Sequence, residues 1–451
     1  MNMKALPTTQ ALTCKLKLLL TTEQAEAVRR TAVAYRHALN HASAVAFANG
    51  KMSHGMRRQT LVYQELRERF GLPSQMACHA PRQVAAAYKT LWERAKANTA
   101  HTARGWTKRR YKGLDKAPQF TALTVTLNHR RDWALGKEHT VSVGTLEGRI
   151  RCRYEGWKRH LDWLTHTMDH GITLGAAKLW QDPGTRAWYL LVSIEKALAQ
   201  NPMDTITTVK GVDLNRRNIA VESSTRGPCR FYQGGHQRHW AERAASTRSA
   251  LQAKGTRGAK AVLRKLALRE RRLNADTAHG VSKAIAEPHA MVGMEWLKDI
   301  RERTERRHLQ TASGKRRKTN RTVSSWGFAD VQAKTAYKTR LSGGVPVWVD
   351  ADYTSQGCPL CGHTGRENRP NQGLLFVCTH CGHTLHADLV AARNICMRTL
   401  LIRQDWIRTG RLSAAPEASG DKAKAARLQR YAELRWSLDA SSVLIAGRMA
   451  C

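Results

Sequence analysis

Four cysteines near the C-terminal end, Cys358, Cys361, Cys378 and Cys381, follow the spacing C-x2-C-x16-C-x2-C. Two residues between paired thiols is the span of a tight turn, and a glycine follows each pair in CPLCG and CTHCG, so the backbone can wrap an ion. Four thiolates around one centre are the donor set of a tetrahedral structural site, with one Zn2+ expected and no position left open for a substrate. His363, His380, His383 and His386 lie nearby and are read as facing solvent or phosphate rather than replacing a cysteine. Cys14, Cys78, Cys152, Cys229, Cys396 and Cys451 lack paired spacing, which fits a reducing compartment rather than a disulfide framework.

The chain that carries this site is strongly basic. Its 451 residues hold 75 Lys and Arg against 35 Asp and Glu, a net charge of +40. An excess of that size fits a protein covered by a polyanion, because each cation near a phosphate releases condensed counterions. No run reaches the roughly 18 apolar residues that span a bilayer, and the N-terminal stretch MNMKALPTTQALTCKL lacks the apolar core of a signal peptide. The expectation is a cytoplasmic protein, nucleoid-associated when bound to DNA, with nucleic acid rather than membrane as its partner.

The length accommodates two or three domains. TCKLKLLL reads as a strand, and Thr21 and Thr22 followed by Glu23 and Gln24 read as a helix start. Val28, Ala32, Tyr35 and Leu39 then recur at helical spacing, and the helical pattern runs to about Ala100. TALTVTL, HTVSVG, GRIRCRY, HGITLGAAKLW and AWYLLVSIEK are short β-rich runs with turns between them, a barrel-like or sandwich-like module into which the helical segment is inserted after the first strand. From Thr205 strands and helices alternate, as in an α/β core, with a long amphipathic helix in GAKAVLRKLALRERRLNADTAHGVSKAIA. The tail beyond about Ser413 is polar and alanine-rich and reads as poorly ordered.

Three acids stand on or beside core elements. Asp213 follows an apolar strand in KGVDLNRRNIAV, Glu295 ends AMVGME, and Asp388 begins the apolar helix DLVAARNICMRTLL. Two-metal phosphodiester hydrolysis needs several carboxylates on rigid mounts, holding two Mg2+ ions about 4 Å apart. Singly, each acid has an ordinary explanation: a turn former, a surface residue, a helix cap. Asp350 and Asp352 in VWVDADYTS compete for the third place, and pattern alone leaves the choice open.

The order GVDLNRRNIAV, VGMEWLKD, then DYTSQGCPLCGH, NR and FVCTHCGHTLHADLVAARNI resembles the RuvC-like nuclease of transposon-encoded TnpB proteins and compact type V CRISPR effectors. The TSQ-C-x2-CG and AD-x2-AA-x-NI runs are specific to that group, and CKLKLLLTTEQAEAVRRTAVAYRHALN is similar to its first strand and helix. The resemblance implies a multidomain α+β chain. A wedge-like β-barrel would span 1–20 and 117–200, around a helical recognition lobe over 21–116. An RNase H-like α/β RuvC core would occupy 201–356 and 383–412, with a four-cysteine zinc ribbon that binds target nucleic acid inserted at 357–382, and the tail 413–451 last. It places the triad on Asp213, Glu295 and Asp388, and thereby favours Asp388 over Asp350 and Asp352.

The activity it implies is RNA-guided DNA cleavage beside a short target-adjacent motif, with two catalytic Mg2+ and one structural Zn2+. Guide RNA and double-stranded target DNA would be partners, with a monomer or a homodimer on one guide. One departure stands out. The group usually has glycine two residues after the first acid, where this chain has Asn215. That keeps open an alternative, an RNA-guided DNA-binding protein that represses its target with little cleavage.

Two basic stretches are candidate nucleic-acid contacts. GWTKRRYK joins Trp106 and Tyr111 to Lys108, Arg109 and Arg110, the mixture that suits stacked bases, and Lys315, Arg316, Arg317 and Lys318 lie in a charged stretch after Glu295. Replacing Lys108, Arg109 and Arg110 together by Ala is expected to weaken nucleic-acid binding and flatten its salt dependence by up to about 3 in the log–log slope. An unchanged slope would remove these residues from the interface.

Overall fold

The computed structural model describes residues 6–105, 107, 109–200, 202–215, 218–297, 327–370, 373–412, 415–416, 423–436 and 444–446. The chain forms two compact units, Thr9–Ala197 and Leu198–Cys451 with Met1–Thr8. Trp106, Lys108, Lys315, Arg316, Arg317 and Lys318 lie outside the described residues.

The first unit begins with β1 (Thr9–Leu19), whose Cys14, Leu16 and Leu18 alternate inward. Three helices follow, α1 (Thr22–Ala48), α2 (Gly55–Glu68) and α3 (Ser74–Ala103). The α1 start is a capping box: the Thr21 hydroxyl accepts from the Gln24 N–H and the Gln24 side chain accepts from the Thr21 N–H, each at 3.2 Å. Val28, Ala32, Tyr35 and Leu39 form the buried stripe that their spacing predicts. The unit closes with β2 (Thr124–Leu127), β3 (Trp133–Leu135), β4 (Thr140–Thr145), β5 (Gly148–Gly156), α4 (Lys158–Thr165), β6 (Ile172–Gln181) and β7 (Trp188–Ala197).

These strands and β1 form one antiparallel sheet in the order β2-β6-β7-β1-β5-β4-β3. Its two edge strands are consecutive in the chain and joined by the short turn at Asn128–Asp132, so the sheet curls back nearly to closure. The helices are inserted after the first strand, as the sequence pattern predicts.

The second unit contains β8 (Thr208–Asp213), β9 (Asn218–Ser224), β10 (Arg230–Gln233), α5 (Gly235–Lys254), α6 (Arg257–Ile285), β11 (Ala290–Glu295), α7 (Phe328–Leu341) and β12 (Val345–Val349). They build a sheet ordered β10-β9-β8-β11-β12, in which β8 and β12 run parallel to β11 and β9 runs antiparallel to both β8 and β10. Next come the hairpin β13 (Leu375–Val377) and β14 (Thr384–His386), then α8 (Ala387–Thr409), α9 (Lys424–Ala432), β15 (Leu434–Trp436) and β16 (Leu444–Ala446). Among the described residues no helix is long and apolar enough to cross a membrane.

The sheet is covered on both faces, which explains its nearly unbroken apolar strands. Val209, Met291 and Val347 pack with Ile395, Cys396 and Ile402 of α8, while Val212, Val292 and Met294 pack with Ala278, Val281 and Ile285 of α6 and Val331 of α7. All six residues of β8 are buried, including Lys210. Its ammonium is paired with Glu222 at 2.9 Å and Glu287 at 2.7 Å, and donates to the Ile285 carbonyl at 3.3 Å.

The tail departs from its expected disorder over 423–436. Tyr431, Leu434 and Trp436 join the core on the α8 side, and Arg427 makes a two-pronged ion pair with Asp350 at 2.7 and 3.0 Å. Its polar composition is misleading because the arginines are satisfied inside the fold.

The closest helix–sheet approach occurs at two glycines. A Cβ on Gly211 would stand 2.2 Å from the Cys396 nitrogen and 2.3 Å from the Ala392 carbonyl oxygen, and one on Gly293 would stand 1.7 Å from the Thr399 hydroxyl. The Gly211 neighbours are backbone and cannot rotate away. Gly211→Ala is therefore expected to destabilise the protein by about 1–3 kcal/mol or more, read as a lower midpoint in chemical denaturation. A midpoint equal to wild type would show that α8 can lift without loss.

Candidate active site and metal centre

Strand alternation places the first two acids. Gly211 and Gly293 are paired neighbours in the parallel register and both face α8. Two residues further on, Asp213 and Glu295 face the same way at the ends of their strands. The helix supplies the third. Cys396 Sγ contacts the Val209 carbonyl at 3.6 Å, and Ala392 and Cys396 straddle Gly211, so α8 runs against the direction of β8. From that contact, two strand residues advance about 6.6 Å to Asp213, and one helical turn back from Ala392 advances about 6 Å to Asp388. The two acids consequently emerge at the same level.

Electrostatics confirm the proximity. The Asp213 carboxyl is pushed up to about 8, first by burial, then by the charge of Glu295, with Asp388 adding to the rise; the Asn215 hydrogen bond and the Arg369 guanidinium oppose it. Glu295 is also raised, by burial foremost and by Asp352, while a hydrogen bond from Thr354 and the charge of Arg398 pull it down. Thr354 Oγ1 donates to Glu295 Oε1 at 2.7 Å. Asp388 accepts from Asn218 Nδ2 at 3.0 Å, and its backbone N–H donates to His386 Nδ1 at 3.2 Å. A buried carboxylate raised by two neighbouring acids is short of positive charge, and a divalent cation is the ordinary remedy.

The rival acids are committed elsewhere. Asp350 is buried against Arg427, with the Tyr431 hydroxyl at 3.4 Å, and Asp352 pairs with Lys424 at 2.7 Å. Their segment serves the site indirectly. Arg398 donates to the backbone carbonyls of Asp350 and Asp352, and Asn394 donates to those of Thr354 and Gly357 at 2.7 and 2.8 Å. These bonds hold the loop that presents Thr354 to Glu295.

The four cysteines converge. Their Sγ atoms all lie within 4.8 Å of one another, with Cys358–Cys381 at 3.7 Å and Cys361–Cys378 at 3.5 Å, and this is the one such cluster of ligand atoms among the described residues. A tetrahedral ion with Zn–S bonds of about 2.3 Å requires sulfur separations of about 3.8 Å. The two knuckles are built alike. Gly362 and Gly382 donate to the Cys358 and Cys378 carbonyls at 2.9 Å, each with positive φ, and the Cys358 and Cys378 N–H groups donate to His363 and His383 at 2.8 and 2.9 Å. The histidines near the cysteines are outside the cluster: His363 contacts Glu367 and stacks on His380. The site therefore fits a metal such as zinc.

Of the proposed nucleic-acid contacts, Arg109 is exposed, Tyr111 is half-buried, and Arg110 is paired with Asp115 at 2.6 Å. Sequence reasoning missed Arg369, Thr354 and Asn218. Arg369 follows the fully buried Asn368, whose side chain is bonded to Gln356, His363 and Thr379; its guanidinium donates to the Gly373 carbonyl at 3.0 Å, and its charge pulls Asp213 down. Its place in NRP between the cysteine pairs was the only available signal.

Residues 328–395 match the family model described as Cas12f1-like, TNB domain. Among curated proteins, the "Putative RNA-guided DNA endonuclease InsQ" of Escherichia coli (strain K12) is 25% identical over 52% of this chain and 60% of its own length. The "CRISPR-associated endodeoxyribonuclease Cas12f1" of Sulfoacidibacillus thermotolerans is 27% identical over 49% of this chain and 53% of its own. The resemblance read from the motifs stands. A solved Cas12f1–sgRNA–target DNA complex aligns over 86% of this chain and 99% of that one, at 15% identity and a TM-score of 0.33. The chain spans between about half and three-fifths of the length of these curated relatives. The matched family segment reaches from α7 through the cysteines to Asp388 and is wider than the ribbon boundaries 357–382.

Elemental analysis is expected to find one zinc per chain. Stripping it with a chelator, or substituting Cys378→Ser, should lower the melting temperature, because metal-site binding energy is folding energy. A metal-free preparation with an unchanged melting transition would exclude a structural role.

Proposed function

We propose that the chain is an RNA-guided DNA endonuclease whose phosphodiester hydrolysis is carried out at Asp213, Glu295 and Asp388. The observation that carries this reading is the convergence of three acids from two parallel strand ends and one helix start, with Asp213 raised by burial and by the charges of the other two. The relatives' names as nucleases and endodeoxyribonucleases support the reaction class. The net charge of +40 supports a polyanionic guide and target.

In this reading the three carboxylates hold two Mg2+ ions, which when bound activate water and neutralise the leaving oxygen. The remaining work falls to the chain. Thr354 holds one oxygen of Glu295, leaving the other for the cation side. Arg369 of the ribbon lowers Asp213 by its charge, and its guanidinium would offset the charge of the scissile phosphate. The nearly closed sheet and helices of the first unit would hold guide RNA and read a short motif beside the target.

Asp213→Ala, Glu295→Ala and Asp388→Ala are each expected to reduce cleavage of guide-matched DNA by more than about a hundred-fold, the upper end for outer-shell partners of a metal site, with binding of that DNA retained. Arg369→Ala should lower the cleavage rate without releasing zinc. Wild-type cutting by Asp213→Ala would show that the chemistry resides elsewhere. Guide-dependent binding without Mg2+-dependent cleavage in the wild-type protein would favour the repressor reading.

A further inference from the structure

Asp213 and Asp388 belong to elements far apart in the chain, and two asparagines of the β8–β9 turn connect them. Asn215 Nδ2 donates to Asp213 Oδ2 at 3.0 Å, and Asn215 Oδ1 accepts from the Asn218 backbone N–H at 2.8 Å. Asn218 Nδ2 then donates to Asp388 Oδ2 at 3.0 Å. The orientation of Asn215 is fixed by this chain of bonds: with its oxygen engaged by an N–H, its amide nitrogen must be the end that meets Asp213. Asn215 is also absent from the residues with positive φ. A left-handed turn is therefore not what the asparagine supplies here; it supplies a side-chain donor and an acceptor that closes the turn.

We propose that Asn215 and Asn218 are positioning residues, an amide relay that fixes one oxygen of Asp213 and one of Asp388 and leaves the second oxygen of each for a shared divalent cation. The proposal rests on the carboxylate reading above and extends it to residues that touch neither metal nor substrate. Each amide nitrogen can donate to a carboxylate but cannot ligate a cation, so the relay selects which oxygen remains available. It also couples a strand end to a helix start, with the Asn215 side-chain oxygen held by the Asn218 N–H. Outer partners that orient ligating groups in this way are typically worth about 10–100-fold in metal affinity or activity. A glycine at position 215 could not make these side-chain bonds.

The test is Mn2+ binding to the purified full-length chain, followed by electron paramagnetic resonance, with zinc content as the control for folding. Asn218→Ala and Asn215→Gly are each expected to weaken Mn2+ binding about ten-fold or more, while zinc content stays at the wild-type level. Cleavage by both variants should recover to within about three-fold of wild type at saturating Mn2+, which separates a metal-affinity effect from damage to the chemical step. If Asn218→Ala loses zinc and misfolds, Asn218→Val, whose β-branched side chain suits a strand start and offers no donor, replaces it. Mn2+ binding within two-fold of wild type in the folded variants overturns the relay. Asp213→Ala and Asp388→Ala guard the underlying reading: if they retain wild-type Mn2+ affinity, the carboxylates are not the metal donors, and that reading falls along with the relay.

Discussion

The backbone of α8 rests directly on Gly211, the Thr399 side chain of the same helix rests on Gly293, and the positions of the acids follow from that contact. A helix normally stands about 10 Å from a sheet because side chains fill the gap. Here two adjacent strands each omit a side chain where the helix crosses, so a short polar residue at the helix start reaches the strand ends. The matched advances of two strand residues and one helical turn then bring Asp388 level with Asp213. Had Gly211 carried a Cβ, the helix would have to rise, and the third acid would move away while the strands kept the other two.

Buried ions secure the sheet on which this geometry depends. Lys210, one residue before Gly211, points to the opposite face and is enclosed by Glu222, Glu287 and the Ile285 carbonyl, with the Tyr232 hydroxyl donating to Glu222 at 2.8 Å. On the α8 side Asp350 is enclosed by Arg427 and Tyr431. Desolvating such pairs offsets much of their attraction, so they contribute little net stability. Breaking one strands a buried charge, at about 3–5 kcal/mol, which strongly disfavours any slipped register of β8 or β12.

Much of this was legible where local physics decides structure. The cysteine spacing, the Thr21–Gln24 cap, the stripe from Val28 to Leu39 and the strands ending at Asp213 and Glu295 are all local patterns. What escaped depends on partners distant in sequence. Helix α5 buries only Ala244 and shows almost no apolar face, so its periodicity was silent; it is joined to α6 by Gln237–Thr277 and Arg248–Glu270 contacts. Lysine inside a fully buried strand contradicts any hydrophobic pattern until its two glutamates are known. Asp350 looked equivalent to Asp388 until Arg427, 77 residues away, accounted for it.

The same logic explains why a metal ribbon belongs immediately before the last acid. Strand β14 ends at His386 and α8 begins at Ala387, with no linker between them. At its other end the ribbon is bound to the same helix, through Asn394 to the Thr354 and Gly357 carbonyls. Its small core of Cys358, Phe376 and Cys378 packs on Ala387 and Val390, and Trp436 donates its N–H to the Pro359 carbonyl at 2.7 Å from the far side. Both ends of the ribbon are thus fastened to the first two turns of α8. An ion that closes the four thiolates fixes the separation of those ends, and so the start of the helix that carries Asp388. Thr354, just before the ribbon, is fastened with them and holds Glu295. The cysteines lie outside the acid cluster, yet a metal held by them would set the boundary conditions for two of its three members.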